Sequence, residues 1–337
     1  MPRAATTSTH ITHRAPRAQH TREARNTRAT RRAKVLAKGV SALGGGVLLA
    51  TACASATATA SAAVPAHAAS VSPGSSGAAA GVYVALGDSY ASGAGIPALS
   101  GGACMRSDHD YGHLVAADLA FGRYRDVSCA GAKTGALTTA QTDAGAVVNG
   151  PQTDALTPDT TLVTLTVAGD DLGTSDFGFA DIAATCSTLS VTDPLGTPCR
   201  DFYGDTLSER LDSAATQLGS ALKAIHDRAP RAEVLVVGYP AVLPDDPVQC
   251  LGKMPVTTGD LAFLRSVLGE LNDTVAAAAR AADATYVDTL TPTRGHDSCS
   301  SAPWIEGLFL ASPTLPLHPN ATGELAMANA VLAALRR

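Results

Sequence analysis

The stretch 161-TLVTLTVAGDDLG-173 reads as a buried β-strand that runs into a glycine and two adjacent carboxylates, Asp170 and Asp171. Its apolar and β-branched residues alternate only weakly, the pattern of a parallel strand covered on both faces. Four similar runs flank it: 82-VYVAL-86, 124-YRDVSC-129, 233-EVLVVG-238 and 285-TYVDT-289. Between them the spacing predicts helices around 109–121, 136–148, 205–229 and 258–283, with a last one at 320–336. In the fourth, Leu261, Leu264, Leu268, Leu271 and Val275 fall on one helical stripe. Strands alternating with helices predict one doubly wound α/β domain around a parallel sheet of about five strands. Chemistry in such domains gathers beyond the carboxyl ends of the strands. The two acids after Gly169 stand at such an end.

The chain ahead of this domain is different material. Residues 1–38 carry ten Lys or Arg against one acid, Glu23. An apolar, glycine-broken run follows, 39-GVSALGGGVLLATACA-54, and then an Ala/Ser/Thr stretch ending 65-PAHAAS-70. A basic start, a short apolar core and an Ala-x-Ala site predict a secretory signal peptide over 1–68, cleaved after Ala68. Residues 69–80 then form a flexible linker, and 81–337 the folded domain. The apolar run is too short and too glycine-rich for a membrane span. Two alternatives stay open: Arg31-Arg32 as a twin-arginine signal, and 48-LLATAC-53 as a lipoprotein box with Cys53 as a lipid anchor.

Cleavage changes the charge balance. The remainder keeps 15 of 25 basic residues and 29 of 30 acidic ones, a formal net charge of −14. That disfavours nucleic acid and anionic membrane surfaces as electrostatic partners. Six cysteines lie beyond Cys53, an even number that suits three disulfides in an exported chain. No close C-x-x-C pair is present, which argues against a zinc ribbon.

The first strand ends in 86-LGDSYASG-93. A serine on a tight turn between strand and helix exposes its Oγ above the sheet, although Ser89 alone reads equally well as a helix cap. A serine nucleophile needs a base. Among the five histidines of the domain, His318 in 316-PLHPNATGELA-326 lies on a proline-bounded loop after the last strand, from which it can reach the first. His109 and His113 stand four apart in a predicted helix, a spacing open to a shared metal, but no third ligand is evident in the sequence.

GDSYASG at 87–93, CAGAKTG at 129–135, AGDD at 168–171 and HPNATG at 318–323 resemble, in order, the four blocks of the GDSL or SGNH hydrolases. The resemblance spans essentially all of 81–337 and is greatest to the secreted actinomycete lipases and esterases. It implies a three-layer α/β/α sandwich of the flavodoxin-like kind. It implies Ser89 as nucleophile, His318 as base, and the N–H groups of Ser89 and Gly131 as oxyanion donors. It also implies the pairs Cys104–Cys129, Cys186–Cys199 and Cys250–Cys299.

This sequence departs from the family pattern twice. The acid three residues before the histidine is replaced by Leu315, so the main-chain carbonyl of Leu315 is the expected partner of the imidazole, with Asp297 a weaker substitute. The asparagine that usually donates to the oxyanion is replaced by Asp170, acceptor-only when ionised. Three readings follow: a protonated Asp170 that donates, catalysis on two backbone donors, or a binding protein on an enzyme scaffold. Asp171 reads as a structural hydrogen-bonding residue.

The expectation is a secreted, monomeric serine esterase or lipase acting on carboxylic, lipid or acyl esters, with no cofactor and no metal. A deacetylase of polysaccharide or another acylated natural product is the alternative enzyme reading.

Overall fold

A computed structural model describes residues 81–175 and 178–337. The expected signal peptide, Cys53 and the linker over 69–80 lie outside the described residues. Five strands make the central sheet: β1 (Val82–Gly87), β2 (Tyr124–Asp126), β3 (Thr160–Thr166), β4 (Glu233–Val237) and β5 (Thr285–Val287). All pairs are parallel, in the order β2-β1-β3-β4-β5. β1 and β3 are central, and Leu86 pairs with Leu165 across them.

Burial on both faces follows from the sequence of β3. Val163 and Leu165 face one layer with Val84, Leu86, Val234 and Val236. That layer packs against α5 (Thr206–Arg228) and α6 (Thr258–Ala281). The predicted stripe Leu261, Leu264, Leu268, Leu271 and Val275 is the buried face of α6. Tyr83, Ala85, Leu162 and Leu235 face the other layer, against α2 (Tyr111–Asp118) and α7 (Ala321–Leu335). The threonines of β3 are buried without loss, because Thr164 and Thr166 hydroxyls pair with Tyr83 and Tyr111 at 2.8 and 3.1 Å. The result is a three-layer α/β/α sandwich.

The helix predicted over 136–148 does not form. A short 3₁₀ turn at Thr134–Leu137 is followed by a hairpin of Gln141–Asp143 against Ala146–Asn149. Its turn puts Ala144 and Gly145 at φ +46° and +83°, a conformation that a helix excludes. Two helices the patterning passed over do form: α3 (Phe179–Leu189) and α4 (Pro198–Tyr203). A disulfide, Cys186–Cys199, joins them. The other two bridges are Cys104–Cys129 and Cys250–Cys299. No helix among the described residues is long and apolar enough to cross a membrane.

Candidate active site

The carboxyl ends of β1 and β3 carry the site. Asp88 caps the single turn α1 (Ser89–Ser92), its Oδ1 accepting from Tyr90 N–H at 2.9 Å. That cap sets Ser89 at the head of the turn. The buried amide of Gln152 holds the end of the strand, bonding both N–H and C=O of Gly87 at 2.7 and 2.9 Å.

Ser89 Oγ lies 2.7 Å from His318 Nε2. On the far side of the ring, Nδ1 lies 2.8 Å from the carbonyl oxygen of Pro316. A carbonyl only accepts, so Nδ1 carries the hydrogen and Nε2 offers its lone pair to the serine hydroxyl. The orienting carbonyl is therefore that of Pro316 and not, as the sequence suggested, that of Leu315. The Leu315 carbonyl is already used: it accepts the main-chain N–H of His318 at 3.2 Å. That bond closes a tight turn with Leu317 at φ +63°, which swings the ring back over Pro316. Asp297 is buried elsewhere and accepts from Cys299 N–H at 2.9 Å.

Tyr90 clamps this loop. Its hydroxyl donates to Leu317 C=O at 2.5 Å, and its ring lies 4.7 Å from the imidazole, centroid to centroid. The His318 ring is partly buried, and loss of water pulls its pKa down to about 4, with the Pro316 carbonyl acting against that. The ring is thus neutral over the ordinary pH range, the form a general base requires. Asn320, last of the HPN triplet, caps α7 by accepting from Thr322 and Gly323 N–H. Its amide donates to Pro303 C=O and Glu306 at 2.9 Å, so it is a buried structural residue.

The two acids after Gly169 separate in role. Asp171 Oδ2 accepts from the N–H and hydroxyl of Thr134, both at 2.8 Å. It ties the end of β3 to the segment just beyond Gly131. Burial raises its pKa, and the Thr134 N–H works against the rise. Asp170 is 6% exposed and lines a small cavity together with Ser89 and His318. Gly131 does not line that cavity. It sits at φ +75° in the turn after Cys129, which the Cys104–Cys129 bridge secures.

Tyr239 joins the site with no sequence signal beyond its place after β4. Its hydroxyl accepts from Gly169 N–H at 2.7 Å and donates to Asp88 Oδ2. One phenol thus joins the two strand ends. A side chain at 169 would meet its ring at 2.9 Å, so glycine is required there. Burial pushes the Asp88 carboxyl up to about 7, against the hydrogen bonds from Tyr239 and Tyr90 N–H.

A larger cleft of about 510 Å³ opens between α6 and the loops after β4 and β5. It shares Leu268 with the small cavity but contains neither Ser89 nor His318. The contact between Ser89 and His318 belongs to the small cavity.

Residues 85–326 match the GDSL-like lipase/acylhydrolase family. The chain belongs to that family. It is 39% identical to lipase 2 of Streptomyces coelicolor over 254 residues, 73% of this chain and 83% of that one. It is 33% identical to a lipase of Streptomyces rimosus, over 72% of this chain and 82% of the relative. Among solved structures, phospholipase A1 from Streptomyces albidoflavus NA297 superposes with a TM-score of 0.63 at 28% identity. That match covers 76% of this chain and 99% of the other. The extracellular lipase of Streptomyces rimosus gives 0.59 at the same identity and coverage. This family member is a carboxylic ester hydrolase, and its substrates are esters.

Proposed function

We propose that the protein is a secreted, monomeric lipase or esterase that cleaves lipid or acyl esters through an acyl-enzyme on Ser89. The observation that carries this reading is the contact of 2.7 Å between Ser89 Oγ and His318 Nε2, with the ring hydrogen committed to Pro316. Ser89 Oγ attacks the ester carbonyl while Nε2 takes its proton. The imidazolium then returns that proton to the leaving alcohol, and the acyl group remains on Ser89. Water, activated by the same nitrogen, releases the acid.

The tetrahedral oxyanion is held by the main-chain N–H groups of Ser89 and Gly131. Ser89 N–H heads a helical turn, where negative charge is favoured. A carboxylate at position 170 is acceptor-only when ionised, so this reading assigns the oxyanion to the two backbone donors. Export rests on the basic, apolar and Ala-x-Ala order of residues 1–68 and on three disulfides in a chain of this kind. The acidic balance of the remainder sets the protein against nucleic acid.

A fluorophosphonate probe tests the central claim. Wild type is expected to be labelled at Ser89, and the Ser89→Ala protein not at all. Equal labelling of the two would place the nucleophile elsewhere. No labelling of either would leave the scaffold without an activated serine.

A further inference from the structure

A second cluster of chemically able side chains lies outside the catalytic cavity, where α2 begins and β2 ends. One ligand atom from each of Asp110, His113 and Asp126 falls within 4.8 Å of the others. We infer that these three residues form a structural site for a zinc-class divalent cation.

The donors are set up for it. Asp110 is fully buried and caps α2, its Oδ1 accepting from His113 N–H at 2.7 Å. That leaves Oδ2 facing His113 Nδ1 at 2.6 Å. Asp126 has a side chain only 4% exposed. Its Oδ1 accepts from the N–H and hydroxyl of Ser128, while Oδ2 is buried without a hydrogen bond. The nearest cation, Arg106, stands with Nε 4.0 Å from Oδ2, but its hydrogens go to Ser128 C=O and Asn149 Oδ1. Tyr124 supplies a second, separate signal. Its hydroxyl is also buried without a partner, and its ring packs 4.7 Å from the His113 ring. A Cβ placed on Gly112 would meet that hydroxyl at 2.5 Å and Asp110 Oδ1 at 3.1 Å, so the phenol ends beside the Asp110 carboxyl group. Orphaned buried oxygens beside an imidazole are what a cation would satisfy.

The ligand set indicates which cation. Two carboxylate oxygens and one imidazole nitrogen suit zinc and its neighbours, whereas calcium takes six to eight oxygens. The His113 side chain is 36% exposed, which leaves a face for entry and for a completing water. Coordination through Nδ1 requires the hydrogen it shares with Asp110 to leave that nitrogen. His109, the partner the sequence suggested, is not part of this group; its Nδ1 pairs with Asp108.

The site would clamp α2 to the strand leading into Cys129 and the Gly131 turn, so its readout is stability. Chelator-treated wild type is titrated with Zn²⁺, Mn²⁺ and Ca²⁺, followed by calorimetry and thermal unfolding. One equivalent of Zn²⁺ is expected to bind, and a hundredfold excess over Kd should raise Tm by roughly 5–10 °C. His113→Gln, a change at a partly exposed residue, should fold and lose at least tenfold in Zn²⁺ affinity. Asp126→Asn should lose binding as well. Hydrolysis of a soluble ester should be equal for wild type and His113→Gln. The inference is overturned if wild type binds no zinc, binds it equally well in His113→Gln, or prefers Ca²⁺. Failure here would leave the Ser89 labelling result untouched.

Discussion

Replacing Leu315 by aspartate tests how this imidazole works without a carboxylate. In the wild type, desolvation holds His318 at about 4 instead of 6.5, and the Pro316 carbonyl offsets only part of that. At about 1.4 kcal/mol per pKa unit, the neutral ring is preferred by about 3 kcal/mol. The acid limb of kcat/KM reports the free enzyme's base, so with a soluble short-chain ester it should fall near pH 4. Leu315 stands three residues before His318, where the family usually places an acid. A carboxylate there adds an opposite charge beside the imidazole and should lift its pKa by roughly 1–3 units. The acid limb of Leu315→Asp should move up by the same amount. A charge-assisted bond is worth about 1 kcal/mol more than a neutral one, so kcat on the plateau should rise about fivefold. A wild-type limb at pH 6.5 or above would refute the desolvated-imidazole account. An unmoved limb in Leu315→Asp would show that residue 315 does not face the ring.

The same group makes stability depend on pH. Because the folded pKa lies below the unfolded one, the contribution of His318 is complete above about pH 6.5 and is lost as pH falls toward 4. Thermal unfolding at pH 7.5 and 4.5 should show a smaller acid loss in His318→Gln than in wild type, and an equal loss would refute this. Replacing Cys104 and Cys129 by serine opens a loop of sequence separation 25, a loss of about 3.5 kcal/mol by chain entropy. Denaturant unfolding measures that loss. Ester hydrolysis should also fall, because the bridge secures the Gly131 turn, and unchanged kcat would separate that turn from the oxyanion.

The sheet was legible in the sequence because each strand is a β-branched run buried on both faces, and the α6 stripe because five apolar residues repeat at helical spacing. The stretch 136–148 misled because its alanines and glutamine resemble helix, whereas the Ala144-Gly145 turn is set by backbone conformations that composition does not reveal. Ser89, Asp170 and His318, from three of the four blocks, line one cavity, whereas Gly131 from the second does not. The shift from Leu315 to Pro316 was not legible, since it depends on the positive φ of Leu317 and the pull of Tyr90 on its carbonyl. Tyr239 and Gln152 were missed for a related reason. Each acts across at least 65 residues of sequence, on main-chain groups of the strand ends.

The two departures from the family pattern bear on opposite charges of one transition state. In the proposed mechanism, attack by Ser89 creates an imidazolium on His318 and an oxyanion on the substrate. The first meets the neutral Pro316 carbonyl in place of a carboxylate, and under the proposed mechanism the second meets Asp170 in place of an amide donor. Leu315→Asp serves the imidazolium and Asp170→Asn serves the oxyanion, where an added donor is worth on the order of 10²-fold in kcat at neutral pH. If each change acts only on its own charge, the double variant should multiply the two gains, with a coupling below about 0.5 kcal/mol. A loss from Asp170→Asn that vanishes in the Leu315→Asp background would mean that Asp170 had been serving the imidazolium as a displaced acid. No gain from Asp170→Asn in either background would mean that residue 170 does not face the oxyanion. A pH–rate profile of all four proteins distinguishes these outcomes, because only a carboxylate that acts on the ring moves the acid limb.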